Sequence, residues 1–151
     1  MKTKKEIGQQ GEELACRFLV KHTFSILDRN YRTNFGEADI VAVDEDKNLH
    51  ICEVKTVSHE TTANVLRETQ CFSPHFKFNY KKIRRMASVG EIYVERKKPN
   101  IKDIKLSSIF IFLSKKYPNV ATLLFLENVN CWFQGQVFLI DVLNNEFNEN
   151  Y

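Results

Sequence analysis

The sequence predicts a single α/β domain over residues 1–151, a mixed β-sheet flanked by helices. Three observations carry that prediction: an amphipathic helical pattern near the start, a hairpin pattern from Gly36 to Lys55, and a second helical pattern followed by further β-rich runs. A chain of 151 residues can build one such core and is too short for two ordinary domains.

From about Lys4 to His22, the residues Ile7, Gly11, Leu14, Ala15, Phe18 and Leu19 recur at spacings of three and four, which marks a helix with one apolar face. Gly8 and Gly11 each cost roughly 1 kcal/mol relative to alanine inside a helix, so they predict close approach of another backbone. Phe24 to Leu27 reads as a short first strand. Asp28 to Asn34 reads as a polar connection carrying Arg29 and Arg32, each suited to phosphate contact or to plain solvation.

Asp39 then opens an apolar run, Ile40 to Val43, the segment Asp44 to Asn48 supplies a turn, and Leu49 to Val54 resumes β-branched and apolar character. Strand side chains alternate, so Glu53 and Lys55 share a face while Val54 turns away. Pairing through a five-residue turn brings Asp39, at the start of one strand, beside Glu53 and Lys55 at the end of the next. Two carboxylates and the main-chain carbonyl of Val54 suit a hard cation such as Mg²⁺ or Mn²⁺. Lys55 is fitted to orient an attacking water, to stabilise hydroxide, or to balance charge on a phosphate. The same residues also fit a surface hairpin whose charges pair in solvent. Glu37, two positions before Asp39, is a further ligand or a group supporting one; it fits a loop equally well.

Thr56 to Pro74 is polar without apolar periodicity and reads as a long loop, with His59 and His75 near its ends as solvated histidines. No Cys/His or Ser/His/Asp pattern stands out. A second helix is predicted from Phe76 to about Val94, with Tyr80, Ile83, Met86, Ala87, Gly90, Tyr93 and Val94 inward and Lys77, Lys81, Lys82, Arg84 and Arg85 forming a basic face. Such a face is either solvated surface or a source of phosphate contacts. Pro99 ends the helix. Ile101 to Ser114 fits a buried strand or a packed helix, Tyr117 to Asn119 a turn, and Val120 to Leu126 and Gln136 to Val142 two strands. Trp132 and Phe133, on the loop between them, serve either as a cover for the sheet edge or as a stacking platform for bases.

Lysine plus arginine is 22 against 19 acidic residues, and a net charge of +3 does not by itself define a nucleic-acid partner. The four cysteines form no C-x-x-C pair and read as reduced core residues. With no apolar signal core and no run of about 20 apolar residues, the sequence predicts a cytoplasmic protein without membrane partners.

The string GEADIVAVD followed by HICEVKT resembles the signature of the YraN-like family of small bacterial proteins, placed in the restriction-endonuclease-like, PD-(D/E)xK superfamily. Upstream, Gly8, Gly11, Glu12, Ala15, Leu19 and LDRNYR are similar to the family's opening helix and first strand; downstream, KKIRRMASVGEIYV resembles its basic helix, with Lys82 in the place of a recurrent lysine, and VLNNEFN its tail, with Phe147 as anchor. Val57 stands where the family usually has an arginine, the late R-F-D strand has only VATLLFL as a counterpart, and Lys97 to Pro118 is long for the family. The resemblance implies a restriction-endonuclease-like fold and a Mg²⁺-dependent nuclease acting on nucleic acid, DNA before RNA. Its catalytic residues would be Asp39, Glu53, Lys55 and Glu12, its metal ligands Asp39, Glu53 and Val54, and its nucleic-acid contacts Arg32, Lys77, Lys81, Lys82, Arg84 and Arg85. A non-catalytic nucleic-acid-binding module and a protein–protein adaptor remain the alternatives on the same fold.

Overall fold

The computed structural model describes residues 1–59, 80–129, 132–142, 144 and 146–149. In chain order these form α1 (Lys4–Lys21), β1 (Ser25–Thr33), β2 (Gly36–Val43), β3 (Asn48–His59), α2 (Tyr80–Lys97), β4 (Asp103–Ser114), β5 (Val120–Val129), β6 (Trp132–Asp141) and β7 (Glu146–Glu149). These strands lie in one seven-stranded sheet in sequence order. Of the described neighbours, β3 and β4 run parallel and the others antiparallel, so the sheet is mixed.

Strand alternation divides the core between the two faces of the sheet. Ile40, Ala42, Cys52, Ile109 and Ile111 meet Leu14, Ala15, Phe18 and Leu19 of α1 on one face. Val41, Leu49, Ile51 and Leu106 meet Met86, Val89 and Tyr93 of α2 on the other. The first helix begins where its capping chemistry dictates: Thr3 Oγ1 accepts from the Glu6 N–H, and a Glu6 side-chain oxygen accepts from the Thr3 N–H. Among the described residues no helix is long and apolar enough to cross a membrane.

Several boundaries differ from the sequence expectation. Asp28 to Thr33 is strand, not connection: β1 is an edge strand with partly exposed faces, so polar residues are tolerated there, and a register shift between Ile26 and Asp28 breaks the alternation. Thr56 to His59 continues β3 because β4 pairs with it along its whole length, and the same pairing settles Asp103–Ser114 as strand. Trp132 and Phe133 belong to β6, not to a loop; their side chains, and with them the choice between edge cover and stacking platform, lie outside the described parts. The tail forms β7, and Phe147 packs edge-on against Phe18, the docking expected of it. Tyr80 is 74% exposed, not inward, while Val89, outside the predicted inward stripe, takes a place in the core. His75, Lys77 and the expected start of the second helix at Phe76 lie outside the described residues.

The two glycines of α1 also separate. A Cβ on Gly11 would drive into the side chain of Thr56 on β3, whereas one on Gly8 would meet nothing nearby. Only Gly11 is required for close approach, and what approaches is a side chain, not a backbone. Gly11→Ala should therefore cost roughly 1–3 kcal/mol in urea unfolding through overpacking. Gly8→Ala should gain about 0.5–1 kcal/mol through helix propensity; equal effects from the two would refute this account of the α1–β3 contact.

Candidate active site

The candidate residues sit where the sheet forks. β2 and β3 pair from Val43 with Leu49 to Ile40 with Cys52, and the pairing stops there. Beyond that point β2 continues with β1 as far as Gly36, while β3 continues with β4 as far as His59. Asp39 is the first residue of β2 past the last pair. Its Oδ2 accepts the Val54 N–H at 2.6 Å, standing in for the missing strand partner. A strand residue's N–H and C=O leave the chain on the same side, so the Val54 carbonyl is also directed toward β2.

A cleft of about 360 Å³ opens at the fork. Glu37, Asp39 and Glu53 give it an acidic floor; Lys81, Lys82 and Arg85 of α2 give it a basic wall, with Met86 and Val89 at its base. Helical spacing accounts for the wall, since Lys82, Arg85 and Val89 recur at three and four. The Lys82 ammonium contacts Glu53 Oε1, while Glu53 Oε2 is buried without a hydrogen-bond partner among the described residues. Burial, and then the charges of Glu12, Glu53 and Glu37, push the Asp39 carboxyl up to about 6 despite the Val54 hydrogen bond. A half-buried acid with a raised pKa and an orphaned carboxylate oxygen beside it form a pair of hard oxygen donors, which fits Mg²⁺ or Mn²⁺. Asp39, Glu53 and the Val54 carbonyl are the groups that would hold it. As they stand, no three His, Cys, Asp or Glu side chains among the described residues close on one cation position.

The other candidates are distributed around this centre. Lys55 is exposed and, by strand alternation, on the face of Glu53, but it does not line the cleft. Glu12, half-buried on α1, acts on Asp39 through its charge. Glu37 pairs with Arg32 at 3.2 Å. Arg84 lies off the cleft, its guanidinium 5.7 Å from the Tyr80 ring centroid, and Arg29 pairs with Glu13 at 3.3 Å. Val57 packs against Phe110, Phe112, Leu124 and Leu126, so the position of the family's arginine is apolar here. Met86 and Val89 are cleft residues that the sequence does not single out for the site; their helical spacing from Lys82 is the signal that points to them.

One constellation that shows no pattern in the sequence is present in the fold. His50 Nδ1 lies 2.8 Å from Ser107 Oγ and Nε2 lies 2.9 Å from Asp44 Oδ2. Burial acts upward on Asp44, but hydrogen bonds from Asn48 and His50 outweigh it and hold its carboxyl below the ordinary value. Ser107 and His50 are 0% and 1% exposed, so no substrate reaches this serine; the group ties the β2–β3 turn to β4. The three residues lie 6 and 57 positions apart along the chain, which is why no local pattern betrays them.

A mixed sheet with a described helix on each face, forked beside an acidic floor and a basic wall, defines a restriction-endonuclease-like α/β domain. The profile of the family described as "Uncharacterised protein family UPF0102" matches residues 11–111, from α1 through most of β4. The chain belongs to this family, which is the YraN-like family of the sequence signature. A UPF0102 protein of Dictyoglomus turgidum is 35% identical over 112 residues, 74% of this chain and 86% of the relative. One from Dictyoglomus thermophilum is 37% identical over 111 residues, again 74% and 86% of the two chains, and one from Campylobacter concisus is 32% identical over 104 residues, 69% and 81%.

Proposed function

We propose that this protein is a metal-dependent nuclease that hydrolyses nucleic-acid phosphodiesters, DNA before RNA. The observation that carries this is the half-buried carboxylate pair, Asp39 and Glu53, facing the cations of α2 across one cleft. An acidic floor alone would repel a phosphodiester, and a basic wall alone would only bind one. Together they suit phosphate held by Lys81 and Arg85 above oxygen donors for a divalent cation. When bound, Mg²⁺ or Mn²⁺ would supply Lewis acidity and an acidified water. Asp39, Glu53 and the Val54 carbonyl would hold the cation, Glu12 would add negative potential, Glu37 would orient Arg32, and Lys55 would orient the attacking water or balance the developing charge. The buried free thiols of Cys16 and Cys52 accord with a reducing, cytoplasmic setting.

A non-catalytic binding module is the second reading, and Val57 favours it, because an apolar side chain replaces the family's usual arginine. The deciding experiment incubates purified protein with supercoiled, single-stranded and branched DNA and with RNA, in Mg²⁺, Mn²⁺ or EDTA. Cleavage that needs metal and disappears in Glu53→Gln supports the nuclease; binding in EDTA with no cleavage of any substrate transfers the conclusion to the binding module.

The basic wall gives a separate expectation. Reversing Lys81, Arg84 and Arg85 to glutamate should lower the salt dependence of binding by about one counterion for each phosphate that is no longer neutralised. Lys82 is left in place because its reversal would set a carboxylate against Glu53. An unchanged slope in anisotropy titrations would remove α2 from the binding surface.

A further inference from the structure

The cleft continues outward into a second, shallower hollow of about 580 Å³. The two share Gly36, Glu37 and Arg85, and the outer side of the second is formed by Arg32 and Phe35 at the β1–β2 turn. Phe35 is 61% exposed. A phenylalanine in solvent is ordinary on a floppy loop, but this turn is tied: Thr33 Oγ1 donates to the Gly36 carbonyl at 3.0 Å and accepts from the Phe35 N–H at 3.1 Å. Gly36 holds φ of +151°, a backbone conformation side-chain-bearing residues rarely adopt, and a Cβ there would stand 3.6 Å from Val89 and 3.8 Å from Arg85. The turn is thus held by its own hydrogen bonds, beside α2, while its aromatic ring is exposed. Arg32 pairs with Glu37 at 3.2 Å, and Arg85, also lining the hollow, is exposed.

We propose that this hollow is a binding site for an unpaired nucleobase of a single-stranded nucleic acid, with the Phe35 ring stacked on the base and Arg32 and Arg85 on the flanking phosphates. The strand then passes directly into the acidic cleft. The inference rests on the nucleic-acid reading above and narrows its substrate to one with an unpaired segment. Two features select this ligand. A duplex read through its phosphates requires cations but no aromatic face, and an apolar protein partner requires a contiguous apolar patch, whereas here one exposed ring and two arginines line the same hollow. Aromatic ring plus cationic track is the pairing that single strands use, because every base offers a π-face and every linkage a negative charge.

The test measures binding in EDTA, where cleavage cannot interfere, of a fluorescein-labelled oligothymidylate and of a duplex of the same length, with circular dichroism to confirm folding. Wild type should prefer the single strand. Phe35→Ala should weaken single-strand binding roughly tenfold and duplex binding less than about twofold. Phe35→Leu, apolar but without a ring face, should behave like the alanine variant, and Phe35→Trp should bind as tightly as wild type. A 2-aminopurine in the oligonucleotide should lose stacking-dependent quenching in the alanine and leucine variants. Single-strand affinity unchanged in Phe35→Ala or Phe35→Leu, with wild type still binding nucleic acid, overturns this inference and leaves the nuclease reading standing. If wild type binds neither strand nor duplex, the nucleic-acid reading falls and takes this site with it.

Discussion

Replacing Lys55 with methionine should slow single-turnover cleavage on the order of 100-fold or more while changing substrate affinity little. The asymmetry follows from what the proposed nuclease would ask of a cation at this position. Charge accumulates on the attacking oxygen and the phosphate only as the bond forms, so a fixed positive charge on the Glu53 face of β3 stabilises the transition state more than the bound ground state. Lys55 is exposed and lies outside all three apolar clusters, so removing its charge leaves the core intact, and methionine keeps most of the stem. Metal binding should persist, because the groups suited to a cation are Asp39, Glu53 and the Val54 carbonyl. The measurement is single-turnover cleavage of whichever nucleic acid the wild type cuts, with circular dichroism confirming the fold. Cleavage at the wild-type rate would make Lys55 an ordinary strand lysine.

Asp39→Asn should make the protein more stable at pH 7.5 while weakening Mg²⁺ binding. Without metal, burial and three neighbouring carboxylates raise Asp39 to about 6, against an ordinary value of 3.8. The folded state therefore binds its proton more tightly than the unfolded chain does, and stability attributable to this group is fully present below about pH 4 and lost as pH rises through about 6. At pH 7.5 the ionised carboxylate then costs the fold roughly 1–3 kcal/mol. Asparagine removes the charge and keeps an oxygen to accept the Val54 N–H. Urea unfolding should show the gain at pH 7.5, almost none at pH 3.5, and a smaller gain once Mg²⁺ is added, since the cation stabilises wild type by binding its folded form. A variant less stable than wild type at pH 7.5 without metal would show that the carboxylate is not held under strain.

What the chain reveals without its fold is whatever covalent geometry writes locally. The three-and-four spacing from Ile7 to Leu19 defines α1, the apolar runs on either side of Asp44 to Asn48 define the hairpin, and the alternation of Glu53, Val54 and Lys55 places the acid and the lysine on one face. These features depend on periods of 3.6 and 2.0, which belong to the backbone itself. The family signature follows the same local strings, and the matched region, residues 11–111, ends within β4 before β5 begins.

Tertiary structure decided the rest, because pairing partners and burial are settled by residues distant in sequence. Asp28 to Thr33 is polar yet becomes strand because β2 supplies its hydrogen bonds; Asp103–Ser114 is fixed as strand because β3 lies parallel along its entire length. The same competition for partners ends the β2–β3 ladder at Ile40 and Cys52, leaving the Val54 N–H to the Asp39 carboxylate. No local pattern encodes that fork, nor the packing that sets the basic face of α2 across it. Sequence specified which ionisable side chains exist and on which face each strand presents them; packing of α2 against β2 and β3 made them one cleft, because only burying both apolar faces of the sheet brings elements so far apart in the chain together.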